Sequence, residues 1–86
     1  MKGTITQADL EAAKENLRKT DRVTNGCLVW QVAKRLGLDP EVCWFNNIYL
    51  KDGREIRLSF TTQKITAAFY DNWPRYVGEE VEFIGV

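Results

Sequence analysis

Few side chains in this sequence are suited to acid–base or nucleophilic chemistry. The chain has no histidine, which removes the commonest general base, the Ser–His and Cys–His nucleophilic pairs, and most zinc sites. Its two cysteines, Cys27 and Cys43, each stand beside apolar residues. We therefore expect two reduced, buried thiols, and a disulfide between them is the alternative.

The carboxylate with the most unusual surroundings is Asp71, which lies among aromatic residues in "FYDNWP". It is either the centre of a small-ligand or active site, or a solvated residue that pairs with Arg75. Gly26, Gly37 and Gly53 are each explained by a helix cap or a turn, so no glycine-rich phosphate loop is present. We expect no catalytic, cofactor-binding or metal-binding residues, and hence no enzyme.

The composition is that of a single compact domain, residues 1–86, with 44% apolar residues and ten aromatic rings (three Trp, three Tyr and four Phe). Twelve Lys and Arg balance 12 Asp and Glu, whereas nucleic-acid binders usually carry excess positive charge. No apolar run approaches the roughly 20 residues that cross a bilayer. Because "MKGTITQADL" is also unlike a signal peptide, we expect a cytoplasmic protein without a membrane segment.

Two helices are expected in the N-terminal half. Thr6 can cap the first helix, whose apolar residues recur at helical spacing. Thr24 or Asn25 can cap the second, "CLVWQVAKRL", which is apolar on most sides and therefore central and buried. Gly37 ends it in a left-handed cap, with Leu38 folding back as its apolar companion.

The C-terminal half changes to strand patterns. "VCWF" predicts a strand, and "IYLKDGREIRLSF" predicts a hairpin with Asp52-Gly53 as a type I′ turn. "VEFIGV" predicts a closing strand whose edge is exposed. The element order is thus α-α-β-β-β-α-β, an α+β fold in which helices cover one face of a mostly antiparallel sheet of three or four strands.

A third helix is expected before the closing strand. Thr61 or Thr62 can cap it, and Ile65, Phe69 and Trp73 repeat every four residues as its buried stripe. A proline directly after this stripe stops the helix.

The stretch "QVAKRLGLDPEV" resembles the first helix and turn of a helix-turn-helix motif, and the hairpin after it could serve as a wing. Its second helix would be "DPEVCWFNNIYL", which has no Lys or Arg and poor helix propensity. A winged-helix-like DNA-binding regulator using residues 31–46 is therefore the alternative function. A basic patch of Lys34, Arg35, Arg54 and Arg57 in the folded protein would favour it.

Surface recognition is the remaining class of function, because the chain has more aromatic rings than so small a core can hide. Trp, Tyr and Arg dominate the energetics of protein interfaces. The candidate interface residues are therefore Tyr70, Trp73, Arg75 and Tyr76, with the Asn46-Asn47 corner as a second candidate surface.

One resemblance covers about residues 24–86. A Gly-Cys that opens a short apolar helix ("GCLVWQVAKRL"), a small sheet, a helix ending in "AAFYDNW" and a closing strand are similar to small uncharacterised proteins of phages and other mobile elements. Such proteins often include inhibitors of host defence systems, anti-CRISPR proteins among them. The resemblance implies a protein that binds a larger host protein, and it assigns no functional residue because the group has no defined motif.

Together these observations predict a small non-catalytic protein-binding module without cofactors. It would be a phage or mobile-element inhibitor or accessory factor that contacts a host protein in the host cytoplasm. A homodimer formed through the final strand or the third helix is also expected, and neither nucleic acid nor membrane is the expected partner.

Overall fold

A computed structural model describes residues 1–22 and 24–86, and these form five strands, three α-helices and one 3₁₀ helix. The strands are β1 (Lys2–Thr4), β2 (Pro40–Cys43), β3 (Asn47–Leu50), β4 (Glu55–Leu58) and β5 (Glu80–Ile84). The helices are α1 (Gln7–Thr20), α2 (Leu28–Arg35) and α3 (Phe60–Thr66), and the 3₁₀ helix (Tyr70–Tyr76) precedes β5. The predicted α+β class is confirmed, with one strand added at the N-terminus.

The strands form one antiparallel sheet in the order β1-β5-β4-β3-β2. The expectation that the last strand has an exposed edge is wrong, because β5 has a partner on each side. Lys2 of β1 lies opposite Glu82, and Leu58 of β4 lies opposite Phe83. The edge strands are β1 and β2 instead.

One face of the sheet carries the core. Alternate residues of β3, β4 and β5 are buried, whereas the residues between them are exposed or half-buried. Helix α2 packs over the buried face with four fully buried apolar side chains. The buried strand residues are Ile48, Leu50, Ile56, Leu58, Val81 and Phe83. Burial of each such side chain stabilises the fold by about 1.5–3 kcal/mol.

The N-termini of α1 and α2 are held in different ways. Thr6 caps α1 as predicted, since its hydroxyl accepts a bond from the Asp9 N–H (3.1 Å) and the Asp9 carboxylate accepts one from the Thr6 N–H (2.9 Å). The predicted cap of α2 is wrong. Cys27, rather than Thr24 or Asn25, occupies the N-cap position, and no side chain bonds to the first turn there.

Gly37 allows the turn before β2, and Gly53 allows the turn after β3. Gly37 has φ +96° and ends α2 in the predicted left-handed cap, with Leu38 packed against the core. The predicted type I′ turn is wrong, because that turn needs positive φ at two residues and only Gly53 (φ +92°) has it in the hairpin loop. The Gly53 N–H bonds to the Leu50 carbonyl (3.0 Å), which makes a three-residue loop with a glycine bulge.

Helix α3 departs most from the expected pattern. Ser59 caps it by accepting a bond from the Thr62 N–H (3.3 Å), so neither Thr61 nor Thr62 is the cap. The helix then ends at Thr66, before the predicted stripe is complete. Phe69 lies beyond this end and is 79% exposed, although its spacing predicted a buried ring.

Trp73 still reaches the core, but from the 3₁₀ helix. Pro74 lies inside that helix and lacks the N–H that an α-helix would bond to the Tyr70 carbonyl. The tighter 3₁₀ turns carry Trp73 back into the core, where it is 3% exposed. The four-residue repeat therefore predicted the burial of Trp73 correctly and that of Phe69 incorrectly.

Candidate binding groove

The most distinctive surface feature is an apolar groove, here called the aromatic groove. Its walls are the rings of Trp44, Phe45, Phe69 and Tyr70, and its floor contains Cys27, Cys43 and Trp73. The remaining lining residues are Thr24, Thr66, Ala67 and Ala68. The groove has a volume of about 350 Å³, and none of these lining residues carries a formal charge.

The first wall is the loop between β2 and β3. The Trp44 N–H bonds to the Asn47 carbonyl (2.8 Å), and the Asn46 carbonyl accepts a bond from the Leu58 N–H (2.8 Å). These bonds hold the loop backbone against the sheet, so its two aromatic side chains project outward. Trp44 is 54% exposed and Phe45 is 60% exposed.

The second wall follows α3. Phe69 and Tyr70, the latter 53% exposed, stand where the chain leaves α3 and enters the 3₁₀ helix. Tyr70 packs edge-to-face on Trp73, with the ring centroids 6.4 Å apart. The Thr66 hydroxyl donates a bond to the Phe45 carbonyl (3.2 Å), which ties the two walls together at one end.

The floor brings the two cysteines together. Both are free and buried, as the sequence predicted, and they come from the N-cap of α2 and the end of β2. The Cys43 N–H bonds to the Thr24 carbonyl (2.6 Å), which holds the end of β2 against the chain leading into α2. Both thiols line the floor of the same groove, and each affects the pKa of the other.

The two thiols titrate in opposite directions. The pKa of Cys27 is lowered, chiefly by the hydrogen bond from the Cys43 thiol and further by the N–H groups of Trp30 and Val29, against the opposing effect of burial. The pKa of Cys43 is raised, because it donates the shared hydrogen bond and because it is buried. Cys27 is thus the thiol that ionises first.

The predicted interface residues fall in three places. Tyr70 and Trp73 belong to the aromatic groove. Asn46 and Asn47 lie in a separate polar depression that is also lined by Glu55, Arg57 and Gln63. Arg75 is exposed and Tyr76 is half-buried against the core, and neither lines the groove.

Trp44, Phe45 and Phe69 are the wall residues that lie outside the predicted interface set. The helical spacing of Phe69 with Ile65 and Trp73 predicted a buried ring. The signal that could have found Phe69 is the turn-forming "DNWP" that follows it, because Asn-containing and proline-containing segments favour turns over a continuous α-helix.

The helix-turn-helix arrangement is not formed. Residues of the expected second helix are strands, since Pro40–Cys43 is β2 and Asn47–Leu50 is β3. The four basic side chains of the expected patch are also engaged separately. Arg35 pairs with Asp9, Arg54 pairs with Asp52, Lys34 stacks over Trp30, and Arg57 lines the polar depression.

Asp71 stands at a shallow depression that it shares with Lys14, Leu17, Arg18 and Pro74. Two opposite charges therefore face its carboxylate across an open surface. Within residues 1–22 and 24–86, no group of three or more Cys, Asp or Glu side chains is arranged to hold a metal ion. No helix in these ranges is long and apolar enough to span a membrane.

Comparison with protein-family models, with curated protein sequences and with solved structures gave no match. The function must therefore be argued from the groove itself.

Proposed function

We propose that this chain is a small non-catalytic protein-binding module that uses the aromatic groove to hold an uncharged, apolar segment of a larger protein. The single observation that supports this is the exposure of four large rings around one concave surface. Isolated exposed apolar residues are ordinary, but a contiguous apolar patch on a small domain is typical of interaction sites.

The chemistry of the groove defines the segment. Its lining residues carry no charge and offer few polar groups, so a charged side chain would lose its hydration there without gaining a partner. An aromatic or branched aliphatic side chain would instead be buried between the rings. Sites of this kind, with aromatic anchors around a central pocket, carry most of the binding energy in protein interfaces.

The role that we propose is that of a phage or mobile-element inhibitor or accessory factor, acting in the host cytoplasm on a host protein. The support for this part is the sequence resemblance alone. The groove supports the binding of a protein segment, and the host protein remains to be identified by experiment.

The test is quantitative capture of proteins from a bacterial lysate by the immobilised full chain and by two single variants. Phe69→Ser removes a groove ring that is 79% exposed, whereas Phe60→Ser removes an equally large ring that is 71% exposed and outside the groove. We expect a partner that is retained by the wild type and by Phe60→Ser and is reduced at least about tenfold by Phe69→Ser, which is a loss of about 1.4 kcal/mol.

Two further measurements separate the alternatives. The mass in solution over a range of concentrations reports whether a second copy of the chain fills the groove, and Phe69→Ser would then convert a dimer to a monomer. Titration with mixed duplex DNA at two salt concentrations tests the winged-helix-like alternative. Salt-sensitive binding that Phe69→Ser leaves unchanged would contradict our proposal.

A further inference from the structure

The floor of the aromatic groove contains two thiols in unequal surroundings. Cys27 and Cys43 both line the groove, and both are nearly buried, with 7% and 5% of their surfaces exposed. Neither is bonded to another cysteine. The groove therefore joins a reduced dithiol to the outside through an apolar opening.

Cys27 stands at the position that best supports a thiolate. It is the N-cap of α2, where the first backbone N–H groups of the helix have no partner within the helix. The nearby N–H groups of Val29 and Trp30 and the neighbouring Cys43 thiol all lower the pKa of Cys27. The partial positive charge at a helix N-terminus also stabilises a thiolate and so lowers the pKa of the thiol.

Cys43 stands in the surroundings of a thiol that keeps its proton. It ends β2, and its Sγ lies 3.8 Å from the Trp44 carbonyl oxygen. The neutral S–H group of Cys43 can donate either to this carbonyl oxygen or to the Cys27 sulfur. One thiol is thus ready to attack, and the other stays protonated next to it.

The geometry points to a redox-active dithiol, in which Cys27 is the attacking thiolate and Cys43 the resolving thiol for exchange with a small uncharged disulfide such as bis(2-hydroxyethyl) disulfide. The arrangement supplies what thiol–disulfide exchange requires: a nucleophilic sulfur, a second sulfur on the same groove floor, and an opening. This activity is independent of whether the groove also binds a protein.

The reaction has two exchange steps. The Cys27 thiolate attacks one sulfur of the small disulfide, the sulfur–sulfur bond breaks, and one small thiolate leaves, so that Cys27 carries a mixed disulfide. The Cys43 thiol then gives its proton to the departing thiolate and attacks the Cys27 sulfur, which releases the second small thiol. The protein dithiol is oxidised to one disulfide, and one small disulfide is reduced to two thiols.

The experiment incubates the reduced, folded full chain with bis(2-hydroxyethyl) disulfide, quenches with acid, alkylates the remaining thiols and measures the whole-protein mass. We expect the wild type to lose two hydrogen atoms and to accept no alkyl group. Cys43→Ser is expected to stop at a stable mixed disulfide on Cys27, because its hydroxyl cannot resolve it. Cys27→Ser is expected to accumulate no mixed disulfide over the same time.

Alkylation of the reduced protein by iodoacetamide at neutral pH tests the hydrogen bond separately. Cys43→Ser keeps a donor beside Cys27 and should preserve its rate of alkylation, whereas Cys43→Ala removes the donor. Loss of the donor should raise the pKa of Cys27, and each unit of increase lowers the thiolate fraction about tenfold. The remaining thiolate is more nucleophilic, which offsets about half of that loss on a logarithmic scale. We therefore expect the rate of alkylation to fall at least about threefold.

Three results would overturn the proposal. One is that the native wild type stays fully reduced while the same protein in urea is oxidised, which would show that burial closes the site. Another is accumulation of a mixed disulfide on the wild type, or of a disulfide between two chains, because Cys43 would then not be the resolving thiol. The third is an equal rate of alkylation for Cys43→Ser and Cys43→Ala, with both variants folded by circular dichroism.

Discussion

Two regions at opposite ends of α2 differ in whether their side chains find partners within the chain. Near its C-terminus, Arg35 meets Asp9 in a corner where the carboxylate is 4% exposed and both of its oxygens are bonded. Arg35 donates to Oδ1 (3.2 Å) and Oδ2 (3.1 Å), and the Thr6 N–H donates to Oδ2 (2.9 Å). The same guanidinium reaches the Thr4 carbonyl (2.6 Å) and so ties β1 to α2.

Near the N-terminus of α2, the aromatic groove leaves its groups uncovered. Four rings there are more than half exposed, although removing apolar surface from water is worth about 25 cal/mol per Å². In the Asp9 corner every oxygen of a buried charge has a partner within the chain, whereas in the groove the apolar surface has none. The first region therefore serves the fold, and the second is the surface that we propose binds a partner.

The largest expected loss of stability comes from a substitution at the floor of the groove. Trp73→Ala should lower the free energy of unfolding by about 3–5 kcal/mol, because it empties a buried site in the core. Trp44→Ala is the matched control, since its ring forms a wall and should change stability by no more than about 0.5 kcal/mol. Urea denaturation of both variants measures the difference, and equal losses would mean that the walls are core as well.

The next effect is at the Asp9 corner. Asp9→Asn should lower the free energy of unfolding by about 1.5–3 kcal/mol, which is typical of hydrogen bonds to a charged group. A larger loss is not expected, because Arg35 is partly exposed. Asp39→Asn is the control, as its pairing with Lys51 (3.7 Å) joins two exposed side chains and should contribute at most about 1 kcal/mol. Urea denaturation at neutral pH would contradict the expectation if the two losses were equal.

The same corner predicts a pH dependence with a definite sign. Burial raises the pKa of Asp9, but the hydrogen bonds from Arg35 and Thr6 outweigh it, and the pKa is held below its ordinary value of 3.8. The stabilisation is therefore complete above about pH 4, the unfolded pKa, and is lost as the pH falls through the folded value. The difference in stability between wild type and Asp9→Asn should shrink below about pH 4, and a difference constant across that range in acid denaturation would refute the assignment.

The sequence predicted the local parts of this contrast better than the non-local ones. The N-cap at Thr6 and the left-handed cap at Gly37 depend on neighbours three or four residues away, so the types of a few residues suffice. The three residues of β1 are a strand only because β5 offers them partners more than seventy positions later. The bond from Arg35 to Asp9 likewise depends on how α1 packs on α2.

The groove was harder to predict for the same reason. The aromatic content and the two buried cysteines could be read from the sequence, and Tyr70 and Trp73, which line the groove, were among the candidate interface residues. The meeting of Cys27 and Cys43 at one groove floor arises from the packing of β2 beside α2, which no periodicity encodes. The exposure of Phe69 follows from where α3 ends, and helix ends are the least certain part of a pattern.

The smallest expected change in stability, at Phe69, is the best test of whether the groove walls belong to the folded core. Phe69→Ser should change the free energy of unfolding by no more than about 0.5 kcal/mol, because most of the ring lies in water before and after the change. Phe60→Ser, measured in the same urea titration, sets the baseline for an exposed phenylalanine outside the groove. A loss above about 1 kcal/mol for Phe69→Ser alone would be typical of a packed residue, and the groove would then be part of the folded core. A loss equal to the baseline would mean that the fold does not need this ring, as expected if the ring serves the binding that we propose.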